Sequence, residues 1–173
     1  MPNYRRARAP GACYSFTVVT AYRRPILVQS NIELLRGIVA GVQALFPFQI
    51  DGWVILPNHI HAIWQLPEDD CDYSKRWGLI KAGFSRESGL SRSDGIGCDA
   101  RVWQPRFWEH LIRDESDWRR QMDYLHFNPV KHGLVEQVRE WPYSSFHRLV
   151  RQGFYDRDWG LANNGPDSGF GER

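Results

Sequence analysis

Two periodicities alternate along this chain. Cys13 to Thr20 (CYSFTVVT) is rich in β-branched and aromatic residues and predicts a first strand. After Ser30, a candidate N-cap, the residues Ile32, Leu35, Val39, Val42 and Leu45 recur at helical spacing and predict a helix over about 31–45, closed by Pro47. Phe48 to Leu56 predicts a second strand, Pro57-Asn58 a turn, and His59 to Leu66 a third strand, which makes a hairpin. In that third strand Ile60, Ala62, Trp64 and Leu66 alternate with His59, His61, Ile63 and Gln65. One face is therefore apolar and suited to packing on helices, and the other carries both histidines.

Residues 72–88 predict a helix with Trp77, Ile80 and Phe84 on one stripe. Ser88 to Ala100 is a Gly/Ser/Asp-rich loop whose composition predicts mobility. Val102 to Ile112 predicts a fourth strand, interrupted at Pro105. Asp114 to Asn128 predicts a helix with acids in its first turn and an apolar stripe of Trp118, Met122 and Leu125. Pro129 disfavours helical geometry at Asn128 and so should end it there. A last short helix is expected from Ser144 to about Val150, and a loose tail after Tyr155. The order strand, helix, strand, strand, helix, strand predicts an α+β, ferredoxin-like antiparallel sheet. Helices should cover one face and leave the other for a site, with a helical extension at the C-terminus. One domain over residues 1–155 and a flexible stretch over 156–173 are expected.

Composition narrows the function classes. No run of about 18 apolar residues suggests a membrane span. The polar, arginine-bearing start has no apolar segment behind it, so it does not read as a secretory signal. Three scattered cysteines, Cys13, Cys71 and Cys98, suit a reducing cytoplasm rather than a disulfide framework. The net charge of +2 says little, but its distribution says more. Arg5, Arg6, Arg8, Arg23 and Arg24 fall in a stretch without acids, and Lys75, Arg76, Lys81, Arg86 and Arg92 face only Glu87. Two basic segments fit a polyanion, and also fit plain solvated faces. The eight Trp offer stacking surfaces for bases as well as core material.

His59 and His61 lie two apart on a strand, so their side chains point the same way about 6–7 Å apart. Neutral imidazoles so placed suit one divalent metal, although such pairs are also found as hydrogen-bonded or surface histidines. Tyr124 and Asn128 are four apart at a helix end and share a face distinct from the apolar stripe. Asn128 offers a hard carbonyl oxygen suited to Mg2+ or Mn2+; the alternative is a packed tyrosine and a helix-ending asparagine. Together the four residues suggest that a metal polarises a scissile phosphate while Tyr124 attacks phosphorus. At neutral pH only about one free phenol in a thousand is ionised, so such a nucleophile needs help. No GxxxxGK[ST] phosphate loop is present. Three readings remain open at this point: a strand transferase, a non-catalytic hairpin-binding protein, and a metal-dependent phosphoesterase that uses water.

Four blocks of sequence add a resemblance. They are Gly52-Trp53-Val54-Ile55-Leu56-Pro57-Asn58-His59-Ile60-His61-Ala62-Ile63-Trp64, Phe107 to Asp114, Tyr124 to Val135, and Trp141 to Phe146. Over roughly residues 10–150 the chain resembles the REP-associated tyrosine transposases, relatives of the single-tyrosine HUH transposases of insertion sequences. The resemblance implies Tyr124 as nucleophile and His59, His61 and Asn128 as metal ligands. It implies binding and cleavage of single-stranded palindromic repeats folded as hairpins, a 5′-phosphotyrosine link and a free 3′-hydroxyl. It also implies a monomer or homodimer acting in the cytoplasm, on the nucleoid when bound to DNA. Arg5, Arg6 and Arg8 are candidates for a DNA-ordered arm, and Arg113, Arg119, Arg120 and Lys131 for phosphate contacts. His126, two residues after Tyr124 on the helix, points elsewhere and is not read as a base. His110, His132 and His147 are not needed as ligands.

Overall fold

A computed structural model describes residues 6–90 and 101–161. Four strands, β1 (Cys13–Val19), β2 (Gln49–Leu56), β3 (His59–Gln65) and β4 (Trp108–Leu111), form one antiparallel sheet in the order β2-β3-β1-β4. Helix α1 (Gln29–Leu45) joins β1 to β2, and α2 (Tyr73–Glu87) lies between β3 and β4. This is the expected ferredoxin-like order. After β4 come α3 (Glu115–Lys131), a short 3-10 turn at Val138–Glu140, and α4 (Phe146–Arg151).

The alternation in β3 sorts its side chains as its sequence requires. Ile60, Ala62 and Trp64 turn to one face and join Phe16, Val18 and Ile55 beneath α1 and α2. Ile32, Leu35 and Val39 of α1 and Trp77, Ile80 and Phe84 of α2 complete this core. Its centre is aromatic: Trp64 stacks on Trp77 at 4.3 Å between ring centroids, and Phe16 meets Trp64 at 5.0 Å. Ile63, Val54 and Leu56 turn to the opposite face, where they meet Met122 and Leu125 of α3 and Leu149 of α4. Helix α3 therefore lies across the face that carries the histidines and packs on β2 and β3. It comes close at Gly52, where a Cβ would stand 2.5 Å from the Met122 sulfur and a bulge interrupts the β2–β3 register.

Several local expectations need correction. Ser30 is not the cap of α1, which starts one residue earlier, at Gln29, with Val28 at the cap position and no side-chain cap. Asn31 instead donates to the Ile26 carbonyl across the entry. The fourth strand is shorter than Val102 to Ile112. Trp103 makes only a single bridge to Thr20, and regular pairing begins after Pro105, at Trp108. Pro129 does not end α3 at Asn128: the helix runs on to Lys131. Proline there removes one hydrogen bond, to the Leu125 carbonyl, and with Pro129 buried the turn continues. The last helix starts at Phe146, not Ser144, because residues 143–145 are paired to β2: Ile55 N–H donates to Tyr143, and Ser145 N–H to Trp53.

Packing also continues past Tyr155. The Trp159 ring lies 4.8 Å from Tyr155 and 6.1 Å from Phe146. The rest of the expected tail, 162–173, most of the loop after Ser88 (91–100) and the first five residues lie outside the described residues. Among the described residues no helix is long and apolar enough to cross a membrane.

Candidate active site

The site is built on one strand, β3, and on one face of the helix α3. In β3, His59 and His61 sit side by side with ring centroids 4.9 Å apart, both buried. Each ring is held through Nδ1. His59 Nδ1 lies 2.6 Å from the side-chain oxygen of Asn58, and His61 Nδ1 lies 3.0 Å from the hydroxyl of Thr17 on the neighbouring strand. A carbonyl oxygen only accepts, so His59 Nδ1 donates to it, and Nε2 is the nitrogen that a neutral ring offers as an acceptor. Thr17 reaches His61 because the two are direct partners in the β1–β3 register.

Helix α3 brings the rest. Tyr124 faces the histidine strand, its ring edge-on to His61 at 5.6 Å. Asn128, one turn on, is fully buried; its Nδ2 donates to the Tyr124 carbonyl at 3.0 Å, and its Oδ1 has no hydrogen-bond partner among the described residues. A buried amide oxygen left in this state costs stability and needs a reason. Lys131 donates to the Tyr124 hydroxyl at 3.2 Å and lies over the same ring. That contact exists because α3 passes Pro129: positions 124, 128 and 131 then share one face. At the next residue His132 stands 5.1 Å from His59. Among the described residues no three His, Cys, Asp or Glu side chains are grouped as a metal site.

The remaining candidates are placed as follows. Arg6 is not an arm toward this site. Its guanidinium lies 4.2 Å over Phe107, donates to Ser74 of α2, and stands 3.8 Å from buried Glu109. Glu109 pairs with Phe16, so Arg6 is on the α1–α2 side of the sheet, where it offsets a buried carboxylate. Arg8 and Arg113 are exposed, and Arg119 is exposed and bridged to Glu115. Arg5 lies outside the described residues. His126 does point away from Tyr124. Its Nε2 meets Ser145 at 2.9 Å, and its ring packs on Phe146 and Tyr155. Burial pushes its pKa down to about 3, which keeps it neutral.

At the other end of α3, His110 lies 2.8 Å from Asp117. Burial alone would raise the Asp117 carboxyl, but hydrogen bonds from His110 and from the Arg113 backbone outweigh it and hold that carboxyl low. Sequence reasoning gave no role to Thr17, Asn58 or His132. The first two are ordinary strand and turn residues whose roles appear only once β1 and β3 are paired.

Paired histidines on a ferredoxin-like sheet are thus faced by a helix-borne tyrosine. Comparison with known proteins makes the assignment. The chain is 44% identical over all of its 173 residues to the REP-associated tyrosine transposase of Escherichia coli K12, covering 98% of that protein. It is 41% identical over 165 residues to a Haemophilus influenzae protein of the same family name, covering 94% of it. The solved structure of a REP-associated tyrosine transposase bound to a REP hairpin superposes with a TM-score of 0.87 at 44% identity, over 100% of this chain and 98% of that one. A transposase structure from Deinococcus radiodurans matches 69% of the chain with a TM-score of 0.50 at 14% identity, a likeness of fold. No family model matches the chain. The chain belongs to the REP-associated tyrosine transposases, and it is a transposase enzyme.

Proposed function

We propose that this chain binds single-stranded palindromic repeat DNA folded as a hairpin and cleaves and rejoins it through Tyr124. The observation that carries the reading is the placement of Tyr124. Its ring stands against His61, and its hydroxyl is held by Lys131 rather than packed into the apolar cluster of α3. The hairpin partner is supported by the relative of 44% identity whose structure holds one.

A divalent ion, Mg2+ or Mn2+, fits the residues present. Among the described residues Asn128 Oδ1 is a buried oxygen without a hydrogen bond, and two imidazoles held through Nδ1 present Nε2 on the same side of the sheet. His59, His61 and Asn128 would hold the ion, which when bound supplies charge neutralisation at a phosphoryl oxygen. The protein's own groups do the remainder. Lys131 orients the Tyr124 oxygen and brings a positive charge to where the phosphodiester enters. The Tyr124 oxygen attacks phosphorus, an O–P bond to tyrosine forms, and the P–O3′ bond breaks. The phenolic proton is released and the 3′-oxygen leaves as a hydroxyl. Because the new bond is again a phosphate ester, a second 3′-hydroxyl reverses the step without ATP.

The test is a cleavage assay on a labelled single-stranded hairpin with Mn2+ or Mg2+. The reading expects a 5′-end blocked by protein, a 3′-end that a polymerase extends, and neither product from Tyr124→Phe. Cleavage that leaves an unblocked 5′-phosphate would instead assign a water-using phosphoesterase. Tight hairpin binding with no cleavage in either metal would leave a binding protein.

A further inference from the structure

We infer that Trp108 is a stacking platform for an unpaired base of the substrate strand, next to the scissile phosphate. The inference rests on the strand-transfer reading above.

Three observations carry it. The first is register. Val54 pairs with His61, His61 with Thr17, and Thr17 with Trp108, so these four residues form one row across all four strands. Partners in such a row point to the same face. Trp108 therefore rises on the same side as His61, two strand spacings or about 10 Å away. The second is exposure. Helix α3 packs on β2 and β3, while at the β4 end of the row Trp108 keeps 48% of its surface in solvent. An indole left that exposed forgoes about half of its burial energy, and it sits in line with the site. The third is support from behind. The Trp108 ring is parallel to that of His110, within 3° at 5.8 Å, and His110 is in turn pinned by the buried carboxylate of Asp117. The indole is thus held with a defined plane rather than left to swing.

Charge is arranged to match. Arg106 and Arg113 are exposed just before and just after β4, where they can follow a phosphate backbone that runs along this edge. A planar aromatic beside cations is how unpaired bases are held without sequence reading. A base inside a duplex stem has both faces stacked already. The ligand class is therefore an unstacked nucleobase in the single-stranded flank of the hairpin, close to the phosphate that Tyr124 attacks.

The experiment uses the full chain carrying Tyr124→Phe, so that the strand is held and not consumed. Binding is measured for a hairpin with a single-stranded flank and for the same hairpin without it. A 2-aminopurine is stepped through the flank as a fluorescent reporter of stacking. The flank should strengthen binding, and Trp108→Leu should weaken the flanked hairpin roughly ten- to hundred-fold. Trp108→Phe should retain most of the affinity, the flankless hairpin should be unchanged by either substitution, and one reporter position should be quenched with Trp108 but not with Leu. Equal losses on both hairpins, or a reporter profile insensitive to Trp108→Leu, would overturn the inference. Continued cleavage in the Tyr124→Phe background would instead overturn the nucleophile assignment and leave the stacking result to stand on its own.

Discussion

The two faces of the sheet are made from alternate residues of the same strands, yet they are finished differently. Toward α1 and α2, β3 presents Ile60, Ala62 and Trp64 to a thick aromatic core. Toward α3 it presents His59, His61 and Ile63, and only Ile63 enters an apolar cluster. The first face supplies stability. The second has a small aliphatic cluster at the β2 side and a polar row beside it. The histidine pair is thus mounted on a strand whose position is fixed from behind. Rigid mounting of this kind is what a site needs when its reacting atoms must be held within a fraction of an ångström.

That contrast breaks most visibly from the core side. Trp64→Ala should cost about 3–5 kcal/mol, read as a lowered urea midpoint, because a large fully buried ring leaves a cavity. The next largest effect, on the polar face, should be seen in activity and not in stability. Asn128→Leu replaces a buried amide whose oxygen has no hydrogen bond, so unfolding should shift little while strand cleavage falls about 100-fold, equivalent to about 2.7 kcal/mol of barrier. Asn128→Asp, which keeps a hard oxygen, should restore part of the rate. A cleavage rate unaffected by Asn128→Leu would remove Asn128 from the ligand set.

The apolar cluster of the second face carries its own signature in pH. His126 is buried, with its folded pKa depressed to about 3 against an ordinary value near 6.5. The unfolded chain therefore binds the proton more readily between those values, and stability must fall as pH drops from about 6.5. The limiting slope is about 1.4 kcal/mol per pH unit. In His126→Gln the urea midpoint should be flatter over that window; an unchanged slope would mean that other groups dominate the acid limb.

The smallest expected effect concerns Lys131. Lys131→Gln should lower the single-turnover cleavage rate about tenfold, or about 1.4 kcal/mol, with hairpin affinity nearly unchanged. Lys131→Arg should recover most of it. A loss confined to affinity would make Lys131 a backbone contact only.

How legible was this arrangement in the sequence? The histidine strand was, because a period of two with apolar residues on one side has few other readings. The Tyr124–Asn128 face was legible for the same kind of reason. Lys131 was a candidate for a phosphate contact, but its contact with Tyr124 was not legible, since a local steric rule placed a helix end at Asn128, and one missing hydrogen bond at Pro129 proved too small to stop a packed helix. Thr17 and Asn58 were hidden because their role depends on cross-strand pairing and a turn. Arg6 read as a free basic arm because its partners, Ser74 and Glu109, lie far along the chain. Short-range pattern thus brought out the candidate residues, and only tertiary contacts showed what each of them touches.

The central claim is that Tyr124 is the atom donor for a covalent link to DNA. It is tested most directly by incubating the chain with a single-stranded hairpin and a divalent metal, digesting the denatured product with protease and nuclease, and sequencing the nucleotide-bearing peptide by mass spectrometry. The account predicts a phosphodiester-linked 5′-nucleotide on Tyr124, absent after Tyr124→Phe. A nucleotide carried by any other residue, or an adduct that survives Tyr124→Phe, would contradict it.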